Sequence, residues 1–131
     1  MIPYVAWNEY YSVGDPLLDA QNKQIIGIFS ELHEAMRKGE DHAALKPIVD
    51  RLLQHMLAHF AHEEQFMKEN GYPDWSQHVL SHHKIQQRTR DLQEHAHLDR
   101  LDFLKDWWMG HILDEDKKYM PCLHLLSSHR W

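Results

Sequence analysis

The sequence predicts an all-α fold, an up-down-up-down antiparallel four-helix bundle with an irregular N-terminal arm. Three observations carry this. Apolar residues recur at alternating spacings of three and four in four separate stretches, which is the period of one helix face. Turn-forming residues separate the stretches, at Gly39, at Asn70-Gly71-Tyr72-Pro73 and at a polar break after His97. No stretch carries a strand signal. Short connections make sequential helices antiparallel neighbours. At 131 residues and 43% hydrophobic, the chain fits one domain over 1–131 with one core.

The arm, residues 1–17, holds Pro3, Gly14 and Pro16 and no helical period, so Trp7, Tyr10 and Tyr11 are expected to lie against the body. A first helix over about 18–38, capped by Asp19, turns inward Leu18, Asn22, Ile25, Phe29, Leu32 and Met36. Asn22 is the one polar member of that row. The second helix, about 42–70, turns inward Leu45, Val49, Leu52, Met56, His59, Glu63 and Phe66, and either begins close to Pro47 or bends there. The third, about 74–95 with Asp74 as its cap, presents Trp75, His78, His82, Ile85, Thr89 and Leu92. The fourth, about 101–120, carries Leu104, Trp107, Trp108, His111, Ile112, Glu115 or Asp116, and Tyr119 on or near its apolar face. Pro121 closes it, and 121–131 form a tail.

His59 and Glu63 interrupt a hydrocarbon row, and a buried imidazole and carboxylate are costly unless something pairs with them. The topology supplies partners. His59 and Glu63 come late in the second helix, His78 and His82 early in the third across one turn, Asn22 early in the first, and His111 and Asp116 late in the fourth. All four inward rows therefore turn polar at one end of the bundle. Taken singly, each pair has an ordinary reading: a His/Glu pair at i, i+4 is usually a solvated helix pair, and an Asp near a helix end is usually a surface charge. Their coincidence in one layer points to metal. Four imidazoles and two carboxylates without a thiolate suit iron, manganese or zinc and are too hard a set for copper(I). Two carboxylates can each bridge two cations and offset their repulsion, which favours a dinuclear centre.

The chain has 13 histidines, and position separates them. His33, His42, His55, His62, His83, His95, His97, His124 and His129 fall mostly on polar faces, where a solvated histidine is the default. Of these only His62 and His83 lie near enough for contacts to the ligands. Glu64 and Glu115 face outward on this phasing and are left out of the site. Met36, Met56 and Met67 read as core filling.

A net charge of −6 without a basic cluster argues against nucleic-acid binding. The single cysteine, Cys122, excludes an internal disulfide and suits a reducing cytosol. The first seven residues lack a basic region followed by a long apolar run, and no stretch approaches membrane-spanning length, so a cytoplasmic protein without membrane insertion is expected. Nothing demands an oligomer, and a monomer is expected. No nucleophile pair or phosphate-cradling loop supports a hydrolase or kinase.

Trp7 through Ser12-Val13-Gly14, Asp19-Ala20-Gln21, His59-Phe60 with Glu63-Glu64, Tyr72-Pro73 with His78 and His82, and Trp107 with His111-Ile112, Asp116 and Tyr119 together resemble a bacterial hemerythrin over essentially the whole chain. Myohemerythrin is itself a standard example of the up-down bundle, so the agreement in architecture is not independent. The resemblance implies two non-haem iron ions joined by an oxo or hydroxo bridge, with O2 as a reversible ligand. The implied role is to carry, store or sense O2, or to deliver it to an O2-using enzyme. On the motif, His78, His82 and His111 would hold one iron, His59 the second, and Glu63 and Asp116 would bridge them. Phe60, Trp107, Trp108 and Ile112 would line the O2 pocket.

The sequence departs from the family pattern at two places. Asn22 stands where the family has a histidine ligand to the second iron, and an amide oxygen is a weaker and shorter-reaching donor. Losing even a group that only supports a ligand costs ~10–100-fold in metal affinity, so the second iron is expected to be labile, absent or more open. His33 is no substitute, because eleven residues place it about 16 Å along the helix. Trp108 stands where the family usually has leucine, and its indole either fills the O2 pocket or faces a neighbouring helix. The opened position leaves two rival readings: an iron-dependent redox enzyme using O2 or peroxide, and a protein binding a single metal. Asn22→His is expected to raise occupancy of the second iron and lengthen the life of an oxygenated form, measured as iron per chain and as decay of the oxygenated spectrum.

Overall fold

The computed structural model describes residues 4–114 and 116. They form four helices, α1 (Pro16–Arg37), α2 (His42–Glu69), α3 (Trp75–Glu94) and α4 (Leu98–Asp114), preceded by a short 3-10 turn at Glu9–Tyr11. No strand occurs among the described residues. The bundle is the predicted architecture. No helix among the described residues is long and apolar enough to cross a membrane.

The start of α1 differs from expectation. Asp15, not Asp19, is its cap, accepting from the backbone N of Leu18 at 3.0 Å. Pro16 follows as the first helical residue, where its fixed φ suits the helix and its missing N–H leaves nothing unsatisfied. Asp19 instead ties the arm down, accepting from the Ser12 hydroxyl and, at 2.9 Å, from the backbone N of Val13. Val13 is fully buried, and Trp7 and Tyr11 pack on the core. Tyr10 does not lie against the body as expected; it is 70% exposed.

Helix α2 is capped by Asp41, which accepts from Ala44 N at 2.9 Å, and begins close before Pro47. Asp74 occupies the cap position of α3 but makes no side-chain capping bond. Trp75, expected inward, is 38% exposed at the first position of that helix. Helix α4 starts at Leu98, earlier than expected. Apart from Asp116, its expected continuation to 120 and the tail 121–131 lie outside the described residues.

Both α1 and α2 end in the same way. Gly39 N bonds Met36 O at 3.1 Å and Glu40 N bonds Ala35 O at 3.2 Å; Gly71 N bonds Lys68 O at 3.3 Å and Tyr72 N bonds Met67 O at 2.9 Å. These paired bonds are Schellman motifs, which need a left-handed residue after the cap, and Gly39 and Gly71 have φ of 76° and 65°. The turn at Gly71 therefore reverses the chain directly and brings the end of α2 beside the start of α3.

Away from that end, the interior is hydrocarbon: Ile25, Phe29 and Leu32 of α1, Leu52 and Met56 of α2, Ile85 and Leu92 of α3, and Leu101 and Leu104 of α4 are buried. Gly39→Ala should lower stability by about 1–2 kcal/mol through the left-handed backbone alone, since an added Cβ there meets nothing within 4 Å. Gly27→Ala, in the interior of α1 and equally unobstructed, should raise it by roughly 0.5–1 kcal/mol. Urea unfolding of the two variants checks the opposite signs.

Candidate metal centre

Each helix carries its polar residues at the same end. His59 and Glu63 lie one turn apart on α2, as do His78 and His82 on α3. His111 comes from the last turn of α4, and Asp116 follows it. Asn22 approaches from α1. All seven are buried: Asn22, His59, Glu63 and His82 are 0% exposed, and His111 is the most exposed at 7%.

Single ligand atoms of Glu63, His78, His82, His111 and Asp116 all lie within 4.8 Å of one another. Glu63 Oε1 is 3.0 Å from His78 Nε2 and 2.8 Å from His82 Nε2. Asp116 Oδ1 is 2.9 Å from His78 Nε2 and 3.0 Å from His111 Nε2. His59 stands outside this group, on the far side of Glu63: its Nε2 is 3.4 Å from the other carboxylate oxygen, Oε2. The two oxygens of Glu63 are thus divided between two imidazoles, His78 and His82, on one side and one imidazole, His59, on the other. That division is what a carboxylate spanning two cations requires.

Several of these atoms are buried without the hydrogen bonds that such burial calls for. His59 Nε2, His82 Nε2 and Asp116 Oδ1 are buried without a hydrogen-bond partner among the described residues, although carboxylate or imidazole atoms stand close to each. A buried polar group left unsatisfied costs about 1–3 kcal/mol. A cation at the point where they converge removes that cost, so the donor set fits a metal such as iron.

Without metal, protons do part of the cation's work. Burial disfavours charge on Glu63, but the His59, His78 and His82 imidazoles beside it outweigh it and hold the carboxyl well below its usual range. Burial likewise opposes charge on His78, and Asp116 and Glu63 overcome it, raising the imidazole to about 10. His82 is raised in the same way, by Glu63 and Glu64 against burial.

The ring nitrogens that face away from the centre are held by groups the sequence reading missed. His82 Nδ1 pairs with Glu64 Oε2 at 2.8 Å, so Glu64 turns toward the site and not outward as expected. His59 Nδ1 donates to Gln21 Oε1 at 2.9 Å, and Gln21 Nε2 donates to His62 Nδ1 at 2.5 Å. Such partners fix the tautomer and leave Nε2 to the metal. A long flexible side chain beside a ligand is the only sign of them in the sequence, and rotamers decide whether it reaches. His83 is exposed.

The aromatic residues pack on the ligands. Phe60 stacks on the His82 ring at 3.8 Å between centroids, and Trp107 on the His111 ring at 4.3 Å. Ile112 is fully buried. Trp108 is buried too, with its indole 5.7 Å from the His59 ring and 5.3 Å from Phe60, and its Nε1 donates to Asn22 Oδ1 at 3.1 Å. The indole thus faces α1 and α2 on the His59 side of the centre.

The Hemerythrin HHE cation binding domain family matches residues 13–123. The chain belongs to the hemerythrin family. A bacteriohemerythrin of Methylococcus capsulatus is 32% identical over 112 residues, covering 80% of this chain and 85% of that protein. A myohemerythrin of Sipunculus nudus is 31% identical over 117 residues, covering 89% and 91%. The crystal structure of a wild-type hemerythrin superposes with a TM-score of 0.85 at 28% identity, covering 92% of this chain and 98% of that one. This hemerythrin domain therefore shares the bundle as well as the sequence pattern of its relatives.

Because His78, raised to about 10, holds a proton that a metal must displace, ferrous loading should release protons and weaken as pH falls from 8 to 6. Proton release in weakly buffered solution, followed with an indicator dye during anaerobic titration, checks this.

Proposed function

We propose that this hemerythrin binds O2 reversibly at a pair of non-haem iron ions, as an O2 carrier, store or sensor. The observation that carries the reading is the division of the Glu63 oxygens between His78 and His82 on one side and His59 on the other. On this reading His78, His82 and His111 would hold one iron and His59 the second, with Glu63 and Asp116 shared between them. When bound, a ferrous pair supplies two electrons to O2 and recovers them on release.

The chain's own residues make that exchange reversible. Glu64 and Gln21 keep the Nδ1 protons of His82 and His59 in place, so both rings present Nε2 to the centre. Phe60 and Trp107 hold the His82 and His111 rings by stacking and cover them with hydrocarbon. Ile112 and Trp108 complete an apolar lining that keeps water and reductants from the bound ligand. All the ligands come from one chain, so a monomer suffices. A single cysteine and an iron pair that must be reduced to bind O2 suit the cytoplasm, where an O2-using enzyme is a fitting recipient.

The test is anaerobic ferrous loading of the full chain, then alternate exposure to O2 and argon. A visible absorption band that rises with O2, falls under argon and is lost in Glu63→Ala is the expected result. A one-way change accompanied by iron-dependent peroxide turnover would replace reversible binding with the redox-enzyme reading. Uptake of one iron without any O2-dependent band would leave a single-metal protein.

A further inference from the structure

The two places where the sequence departs from the family pattern, residues 22 and 108, are separated by 86 positions and touch. The indole N–H can only donate, so the atom of the Asn22 side chain that meets it at 3.1 Å must be the amide oxygen. The amide nitrogen is then the remaining end of the carboxamide, and it cannot ligate a cation. Asn22 is 0% exposed, and its Nδ2 has no acceptor among the described residues. Its neighbour in the chain, Gln21, holds His59 from the same stretch of α1, and Trp108 lies against the His59 ring. A buried, unpartnered N–H pair thus stands on the His59 side of the centre.

We propose that Trp108 locks Asn22 out of metal ligation and leaves its amide N–H pair as a hydrogen-bond donor to a small lone-pair ligand bound at the His59 position. This rests on the reading of a metal pair. A histidine at position 22 would offer a nitrogen to the metal; an asparagine pinned by the indole offers a donor to whatever the metal holds. The two substitutions act as one unit. Residue 108 needs an acceptor for its buried N–H, and residue 22 supplies it at the expense of its own ligating oxygen.

The test is anaerobic ferrous titration of the full chain, resolving the first and second binding constants, followed by azide titration of the air-oxidised protein. Trp108→Phe removes the lock without a change of charge, freeing the amide oxygen to turn toward the second position. The second iron should then bind about tenfold more tightly while the first is unchanged. Asn22→Asp keeps an acceptor for the indole and replaces the N–H pair with oxygen. It should also tighten the second iron and should weaken azide about tenfold. A merely structural role for Trp108 would loosen the second iron in Trp108→Phe, and that result would overturn the proposal, as would azide binding unaltered in Asn22→Asp. If the unmodified chain takes up one iron and Trp108→Phe takes up two, reversible O2 binding by the natural chain falls and the lock stands. If the unmodified chain takes up two irons and Trp108→Phe leaves the second constant unchanged, the lock falls and the O2 reading stands.

Discussion

A fully buried carboxylate with its two oxygens facing different imidazoles is the constraint on which the rest of the bundle depends. Glu63 has no water to solvate it, so its charge must be met by His59 on its own helix and by His78 and His82 across the turn. Meeting it requires α2 and α3 to be held at one register, and the Schellman turn at Gly71 does this by reversing the chain within a few residues. Asp116 repeats the arrangement from the far side with His78 and His111, which ties the end of α4 to the same level. This pairing of charges sets how α2, α3 and the end of α4 line up there.

The core has the complementary task. Apolar packing of Ile25, Phe29, Leu52, Met56, Ile85 and Leu104 is non-directional and tolerates small shifts. The polar layer tolerates less, because a slide of α3 along α2 would part Glu63 Oε1 from His78 Nε2 and His82 Nε2. Confining every costly group to one layer lets the hydrocarbon below it supply the stability that the layer draws on. Phe60 and Trp107 belong to both parts: their flat faces are core to the helices and walls to the ligand rings.

The outer hydrogen bonds serve the same end by different chemistry. A carboxylate, Glu64, backs His82, whereas a neutral amide, Gln21, backs His59 and passes on to the exposed His62. A carboxylate strengthens an imidazole as an electron donor more than an amide does. On the proposed reading, the three-imidazole side of the centre would be the stronger metal position and the His59 side, with Asn22 beside it, the more open one.

Much of this was legible in the sequence. The three-four spacing of apolar residues is a local property, so the four helices and their inward rows followed from it. His59, Glu63, His78, His82, His111 and Asp116 were recognisable because each breaks an apolar row, and antiparallel topology alone places such breaks at one end. Helix boundaries were less secure: Asp15 and Asp19 are both competent caps, and only the position of Pro16 in the first turn decides between them. What the sequence could not supply was direction within a face. Glu64 and Gln21 reach the site because their side chains are long and their rotamers turn inward, and Tyr10 and Trp75 leave the core because theirs turn away. The contact between Asn22 and Trp108 is of the same kind. Each residue drew notice in the sequence by itself, but that one completes the other depends on two side-chain orientations from opposite ends of the chain, which only tertiary packing sets.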